Sequence, residues 1–253
     1  MARRGGVLGP ILVVVAAVCL AATVVSWGVS QSSSDPVSAS AAALGRDGYV
    51  LWDLRDDGSP VRWDPCSPVA WTTRPSDPEW LRPLAADAVA SLAAHTGLVF
   101  QYTDAPHASG TGNLVGPQRP VADNDAWMPV LVTMTTPDES EWLSDADRAL
   151  ALPVTVQGQF VTGQILLQAD VVLSPDTTSR DGSWGAALMH EWGHMVGLDH
   201  VDDPDQLMHD VALAGIAAWS GGDLRGLQEL GADTSCLPPP PAREVELRTP
   251  RRR

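Results

Sequence analysis

The sequence predicts a mixed α/β domain of the α+β kind: one sheet with helices packed on it. Short runs rich in Val, Leu and Thr recur at Val69-Ala70-Trp71-Thr72-Thr73, Leu98–Tyr102, Val130–Met134 and Phe160–Leu167. One stretch of helical spacing separates the first two runs, and further helical patterns follow the last. Strand, helix, strands and then helices is the order expected of such a layered domain.

The elements are taken from the N-terminus. Arg3 and Arg4 are followed by no charged residue until Asp35, and Val7–Val29 is almost wholly apolar. About 20 apolar residues cross a bilayer as a helix. A cleavable signal usually has a shorter apolar region, about 7–15 residues, with a small-residue cleavage site close behind it. Here the nearest such site, Ala39-Ser40-Ala41, lies well downstream. Residues 1–30 are therefore read as a signal anchor, with a cleaved signal peptide as the alternative. Either way the Arg pair stays in the cytoplasm and the remainder is exported. The expected location is the cell membrane, single-pass with an extracellular C-terminal domain, or else secreted.

Residues 31–47 are Ser- and Ala-rich and read as a flexible stalk. The folded domain is expected over 48–236, and 237–253, with Pro238–Pro241 and three terminal Arg, as a disordered tail. Pro78–His95 places Leu81, Leu84, Ala85, Ala88, Val89 and Leu92 at helical spacing, with Gly97 as a stop. Residues 103–127 are rich in Gly, Pro, Asn and Asp and read as a long loop. Asp170–Leu173 is a possible continuation of the fourth strand. Cys66 and Cys236, in an exported domain, are most simply a disulfide, with two free thiols as the alternative.

The 253 residues carry a formal charge of −15, and all 16 bases are Arg. Between Gly45 and Cys236 stand 28 acids and 9 Arg, a net of −19. Without a basic patch to neutralise phosphates, nucleic-acid binding is excluded as a general function.

The chemistry lies in His190-Glu191-Trp192-Gly193-His194-Met195-Val196-Gly197-Leu198-Asp199-His200. On a helix from Trp184 to Val196, residues four apart share a face, so His190 and His194 can hold one metal ion. Gly197 tolerates the left-handed backbone of a sharp exit, and the turn returns His200 towards the pair. Three imidazoles plus one open position describe a catalytic rather than a structural zinc site. Glu191 adjoins the first ligand and is the natural general base towards metal-activated water. The competing reading is three histidines satisfied within a core.

Met208 follows His200 by eight residues. The extended motif plus a methionine turn resembles the metzincin metalloproteases. Leu198–Met208 is most similar to their matrixin branch, as are Asp223–Gly231 as a final helix, capped by Ser220 with Asp223 at the N3 position, and Pro60–Trp63 before the first strand. The resemblance implies a twisted, mostly parallel sheet with an edge strand over the zinc cleft, an active-site helix and a C-terminal helix. It also implies a peptide substrate laid along that edge, for which Gly163, Gln164, Ile165, Leu166 and Leu167 are the candidates. Met208 becomes a hydrophobic floor under the metal and not a ligand.

Some departures matter. Residues 103–165 contain one His, His107, so a second, structural zinc of the matrixin kind is in doubt. No cysteine-bearing propeptide precedes the domain, and position 210 is Asp where other metzincins have a Tyr ligand. Asp199, Asp202, Asp203 and Asp205 can orient a ligand imidazole, bind Ca²⁺, or form a solvated acidic turn. His209 is read as a surface residue or one lining the site.

The expected function is a monomeric, zinc-dependent endopeptidase with one catalytic Zn²⁺, acting on proteins or peptides outside the membrane. The alternatives are a non-catalytic zinc-binding or adhesion module, and a peptidase acting on cell-wall peptides.

Overall fold

A computed structural model of the chain describes residues 48–104, 127–175, 182–210, 218–231 and 235–240. The anchor, the stalk, most of the long loop with His107, and the end of the tail lie outside the described residues. Among the described residues, no helix is long and apolar enough to cross a membrane.

The elements are β1 (Val50–Leu51), β2 (Val69–Thr73), α1 (Leu81–Thr96), β3 (Phe100–Tyr102), β4 (Val130–Thr135), β5 (Ala149–Val156), β6 (Gln159–Gln168), α2 (Trp184–Val196), β7 (Leu198–Asp199) and α3 (Gly221–Glu229). Five strands form one sheet in the order β3-β2-β4-β6-β5. All neighbours are parallel except β5 and β6. The result is a mixed α/β fold with a mostly parallel sheet.

Side chains alternate between faces along each strand. Val130, Val132, Ala151, Ile165 and Leu167 join the helices in the main core. Their neighbours Leu131, Leu152 and Leu166 meet Leu143 on the other face. A sheet covered on both faces needs apolar residues at successive positions, which is why β4 and β6 read as continuous apolar runs.

Helix α1 buries Leu81, Leu84, Ala85, Ala88, Val89 and Leu92, and Gly97 ends it at φ 70° with its N–H on the Ala93 carbonyl at 2.8 Å. The helix starts at Leu81 rather than Pro78. The next strand starts at Phe100 rather than Leu98, because the left-handed exit at Gly97 spends two residues on the turn; Val99 is 58% exposed there.

Two further expectations are corrected. Asp170–Leu173 is not a strand: Ala169 N–H still bonds Thr135, but Val171 N–H turns back to Gln168. Gly163–Leu167 is not an edge, because β6 lies between β4 and β5. Among the described residues the edges are β3 and β5, and β5 carries Pro153 and an irregularity at Val154/Thr155.

Cys66 and Cys236 are joined as a disulfide, with Cα atoms 5.4 Å apart. The chain stays on the domain beyond it. Arg62 donates to the Ser235 carbonyl at 2.7 Å, Leu237 N–H to Asp64 at 3.0 Å and Gln159 to the Pro238 carbonyl at 2.8 Å. The tail expected to be disordered from 237 thus begins as a strap tied to the domain at Ser235, Leu237 and Pro238.

Candidate metal centre

Helix α2 begins at Ser183, whose hydroxyl accepts the Ala186 N–H at 3.1 Å. All thirteen of its residues are buried. It runs to Val196 as the motif required, and Gly197 ends it at φ 120°. A Cβ at Gly197 would meet Leu230, Phe160 and the Val61 carbonyl at 3.0–3.2 Å, so glycine is needed for space as well as for φ. Trp52 N–H bonds the Gly197 carbonyl at 2.7 Å. The next two residues, Leu198 and Asp199, pair antiparallel with Leu51 and Val50. That two-stranded ribbon delivers His200.

The three imidazoles converge. The Nε2 atoms of His190, His194 and His200 lie 3.0–3.1 Å from one another. His190 Nδ1 lies 2.7 Å from the Leu207 carbonyl, and His194 Nδ1 lies 2.9 Å from the Leu198 carbonyl. A carbonyl only accepts, so both Nδ1 atoms carry the proton and both Nε2 atoms present lone pairs. Two bare nitrogens at 3.0 Å repel unless a cation lies between them. Around a tetrahedral ion with bonds of about 2.0–2.1 Å, ligand nitrogens stand about 3.3–3.4 Å apart, so the rings need open by only a few tenths of an ångström. The group therefore fits a metal ion.

Burial keeps the two helix-borne imidazoles neutral. It pushes His190 down to about 4, helped by the neighbouring His200, and holds His194 well below the usual histidine range. A neutral imidazole is the form that binds metal. Trp52 packs edge-on against His194, with ring centroids 5.4 Å apart. Glu191 is 7% exposed. Burial raises its carboxyl to about 8, against a hydrogen bond from the Ala151 N–H that lowers it. Glu191 thus faces edge strand β5, not β6.

Met208 is 1% exposed and packs against Gly193. A Cβ on Gly193 would overlap its Sδ, so glycine between the two helix-borne ligands is what admits the methionine. Val201 N–H bonds the Met208 carbonyl at 3.0 Å, closing the turn after His200. His209 is partly exposed and stands 3.9 Å from Asp210.

Sequence reasoning placed Asp223 only as a helix cap. It is also 1% exposed and accepts from Leu207 N–H, Met208 N–H and both Ser220 donors. Its wider role had no local signal, because its partners lie 15 and 16 residues away.

Asp199 accepts the His200 backbone N–H at 2.8 Å rather than orienting an imidazole through that bond, and Asp203 caps the Asp205 and Gln206 turn. Among the described residues, the carboxylates of this acidic turn form no ligand group of three. Asp64, Cys66 and Cys236 also converge, but the two sulfurs are spent on the disulfide.

A cavity of about 520 Å³ lies elsewhere, lined by Arg74, Asp77, Trp80, Met134, Leu173 and Trp184, and it includes no histidine of the centre. No protein-family model matches the chain, and no curated protein matches it either. The functional reading therefore rests on the residues themselves.

Proposed function

We propose that the domain is a zinc-dependent endopeptidase of matrixin type, with His190, His194 and His200 as the zinc ligands and Glu191 as the general base. The observation that carries this reading is the convergence of three imidazole nitrogens beside a buried carboxyl group. The sequence His190–His200 followed by Met208, on a helix that ends at Gly197, supports the matrixin resemblance. A bound zinc ion supplies Lewis acidity, which acidifies water and polarises a carbonyl.

The chain's own residues do the rest. Glu191 takes a proton from the attacking water and passes it to the leaving amine. Its burial suits the second half of that exchange, in which the carboxyl holds the proton; the first half needs the charged form, which a cation held by the three histidines would favour. The hydrogen bond from Ala151 sets the carboxyl against β5, where an extended peptide can add to the sheet by backbone hydrogen bonds. Met208 closes the floor of the site and excludes water from beneath the imidazoles.

The apolar segment 7–29 and the Cys66–Cys236 pair support an exported, membrane-anchored enzyme. Purified protein with added Zn²⁺ should cleave casein or a mixed peptide library, lose that activity to a chelator and lose it in Glu191→Gln. Equal cleavage by Glu191→Gln refutes the mechanism. Binding of one ion per chain with no cleavage of any peptide assigns the site to a non-catalytic module instead. Cleavage of isolated wall cross-links, with proteins untouched, moves the substrate to cell-wall peptides.

A further inference from the structure

The parallel strands β2 and β4 are neighbours, and the chain leaves them in opposite directions. After β2 it runs to α1, which packs in the main core on one face of the sheet. After β4 it runs to Trp142 and Leu143, which cover the other face. Where adjacent parallel strands part in this way, a crevice forms outside their carboxyl ends, and ligands of open α/β sheets bind there. The cavity of about 520 Å³ lies at this point. Arg74 and Asp77 line it just beyond β2, Met134 near the end of β4, and Val171 and Leu173 beyond β6. Its size falls within the roughly 300–1,000 Å³ of small-molecule sites.

The walls are apolar and held in place. Trp80, at the start of α1, stacks on Trp184, at the start of α2, with ring centroids 6.3 Å and planes 19° apart. Asp77 accepts Arg74 N–H at 2.8 Å on one carboxylate oxygen. On the other it accepts the Thr133 hydroxyl at 2.8 Å and Met134 N–H at 3.0 Å. Its carboxylate therefore ties the ends of β2 and β4 together. Glu139 is exposed and accepts from the Thr135 hydroxyl at 3.1 Å. Arg74 is half-buried, and among the described residues its guanidinium makes no hydrogen bond and no ion pair. This is a domain with 28 acids for 9 Arg, and Asp77 stands only three residues away. An arginine left unpaired beside a cavity in so acidic a chain is open to the anion of a ligand.

We propose that this crevice binds a small carboxylate with an apolar body. Arg74 pairs with the carboxylate, and Trp80, Met134, Val171 and Leu173 enclose the body. A planar guanidinium meets a carboxylate through two parallel N–H bonds, which fixes the orientation of the ligand as well as its charge. The apolar walls favour an aromatic or alkyl body over a polar one. None of the three histidines of the metal centre lines the cavity, so this site goes beyond the peptidase reading and does not depend on it.

The test is calorimetric titration of the purified protein with phenylbutyrate and with decanoate, which separate an aromatic from an alkyl body. At least one should bind saturably, one molecule per chain. The matching alcohol should bind about tenfold more weakly or worse, the effect of losing hydrogen bonds to a charged group. Arg74→Gln should weaken the acid by a similar factor and leave the alcohol unchanged. Its thermal midpoint should match the wild type, because the guanidinium makes no bond among the described residues. Should that variant fail to fold, Val172→Glu serves in its place, at a lining side chain that is 94% exposed. It should weaken the acid at low salt by like-charge repulsion and do so less at high salt. Carboxylates also bind metal ions, so each titration is repeated with a chelator, which should leave the affinity unchanged. Binding that the chelator abolishes belongs to the metal centre and overturns the proposal. So do the absence of saturable binding by either acid, an alcohol as tight as its acid, and a folded Arg74→Gln or Val172→Glu that binds as the wild type does. Cleavage is not read in any of these titrations, so their failure leaves the peptidase reading standing, and a protein that cleaves no peptide leaves this site standing.

Discussion

Asp223 and Leu207 stand 16 residues apart and share a buried hydrogen bond of 2.9 Å from the Leu207 N–H to the carboxylate. The peptide unit that follows is held at both ends. Its carbonyl, on Leu207, accepts from His190 Nδ1 at 2.7 Å, and its N–H, on Met208, donates to Asp223 at 3.3 Å. One carboxylate on α3 thereby fixes the support of His190.

Asp223→Ala should leave the buried N–H groups of Leu207 and Met208 without that acceptor, and so destabilise the fold by about 3 kcal/mol. Urea unfolding of the metal-free protein measures this. A loss below about 1 kcal/mol would place Asp223 among ordinary surface substitutions.

Gly193→Ala adds a methyl group where Met208 Sδ already sits. Alanine favours a helix by up to about 1 kcal/mol over glycine. Overpacking in a full core costs about 1–3 kcal/mol, so the net change should be a lower thermal midpoint. A midpoint equal to or above that of the wild type contradicts the packing described for Met208.

Gly197→Ala meets both a φ of 120° and three close neighbours. The exit from α2 must then shift, and His200 with it. Zinc affinity, measured against a competing chelator, should fall at least about tenfold, the effect of about 1.4 kcal/mol. Unchanged affinity would mean that His200 is positioned independently of the helix exit.

Zinc should stabilise the folded protein, because the unfolded chain has no assembled site. With free ion at about 100 times its Kd, the gain is about 2.7 kcal/mol. A chelator should lower the thermal midpoint of the wild type and leave that of His194→Ala unmoved. Equal shifts in both proteins count against the three-histidine centre.

Asp64 links pH to the C-terminal strap. Burial pushes its carboxyl up, but bonds from Leu237 N–H, the Ser67 hydroxyl and Cys66 N–H outweigh this and hold it below the usual range. The charged form is thus favoured in the folded state. Its stabilisation is fully present above the unfolded value of about 3.9 and fades as pH falls through the lower, folded value. Hydrogen exchange at Leu237 should stay protected from pH 8 down to pH 5, after correction for intrinsic rates, and lose protection in acid below about pH 4. Asp64→Asn should remove the acid-induced step. A step near neutral pH would show that another group controls the strap.

Much of this architecture was legible in the sequence, for physical reasons that differ by element. Helix α1 and β2 announce themselves by periodicity, and α2 by the geometry that its own ligands demand. Strand β5 is not legible in the sequence because Pro153 reads as a breaker; its nitrogen faces away from β6, which makes it compatible with a strand. The placing of Gly163–Leu167 inside the sheet is not legible either, because an apolar run does not say how many neighbours a strand has. The bond between Asp223 and the Met208 turn depends on how α3 docks, which no local pattern encodes. Pairing of Cys66 with Cys236 was legible once the domain was taken to be exported, because the two cysteines bracket the fold.

The ribbon of β1 and β7 has a mechanical consequence. Val50 and Leu51 pair with Asp199 and Leu198, one and two residues before His200. They also stand two and three residues after Gly48, the first described residue. A tug on the chain ahead of Gly48 is therefore carried by two residue pairs onto the strand that bears the third histidine. Gly48 and His200 share a load path, and tension at one becomes displacement at the other.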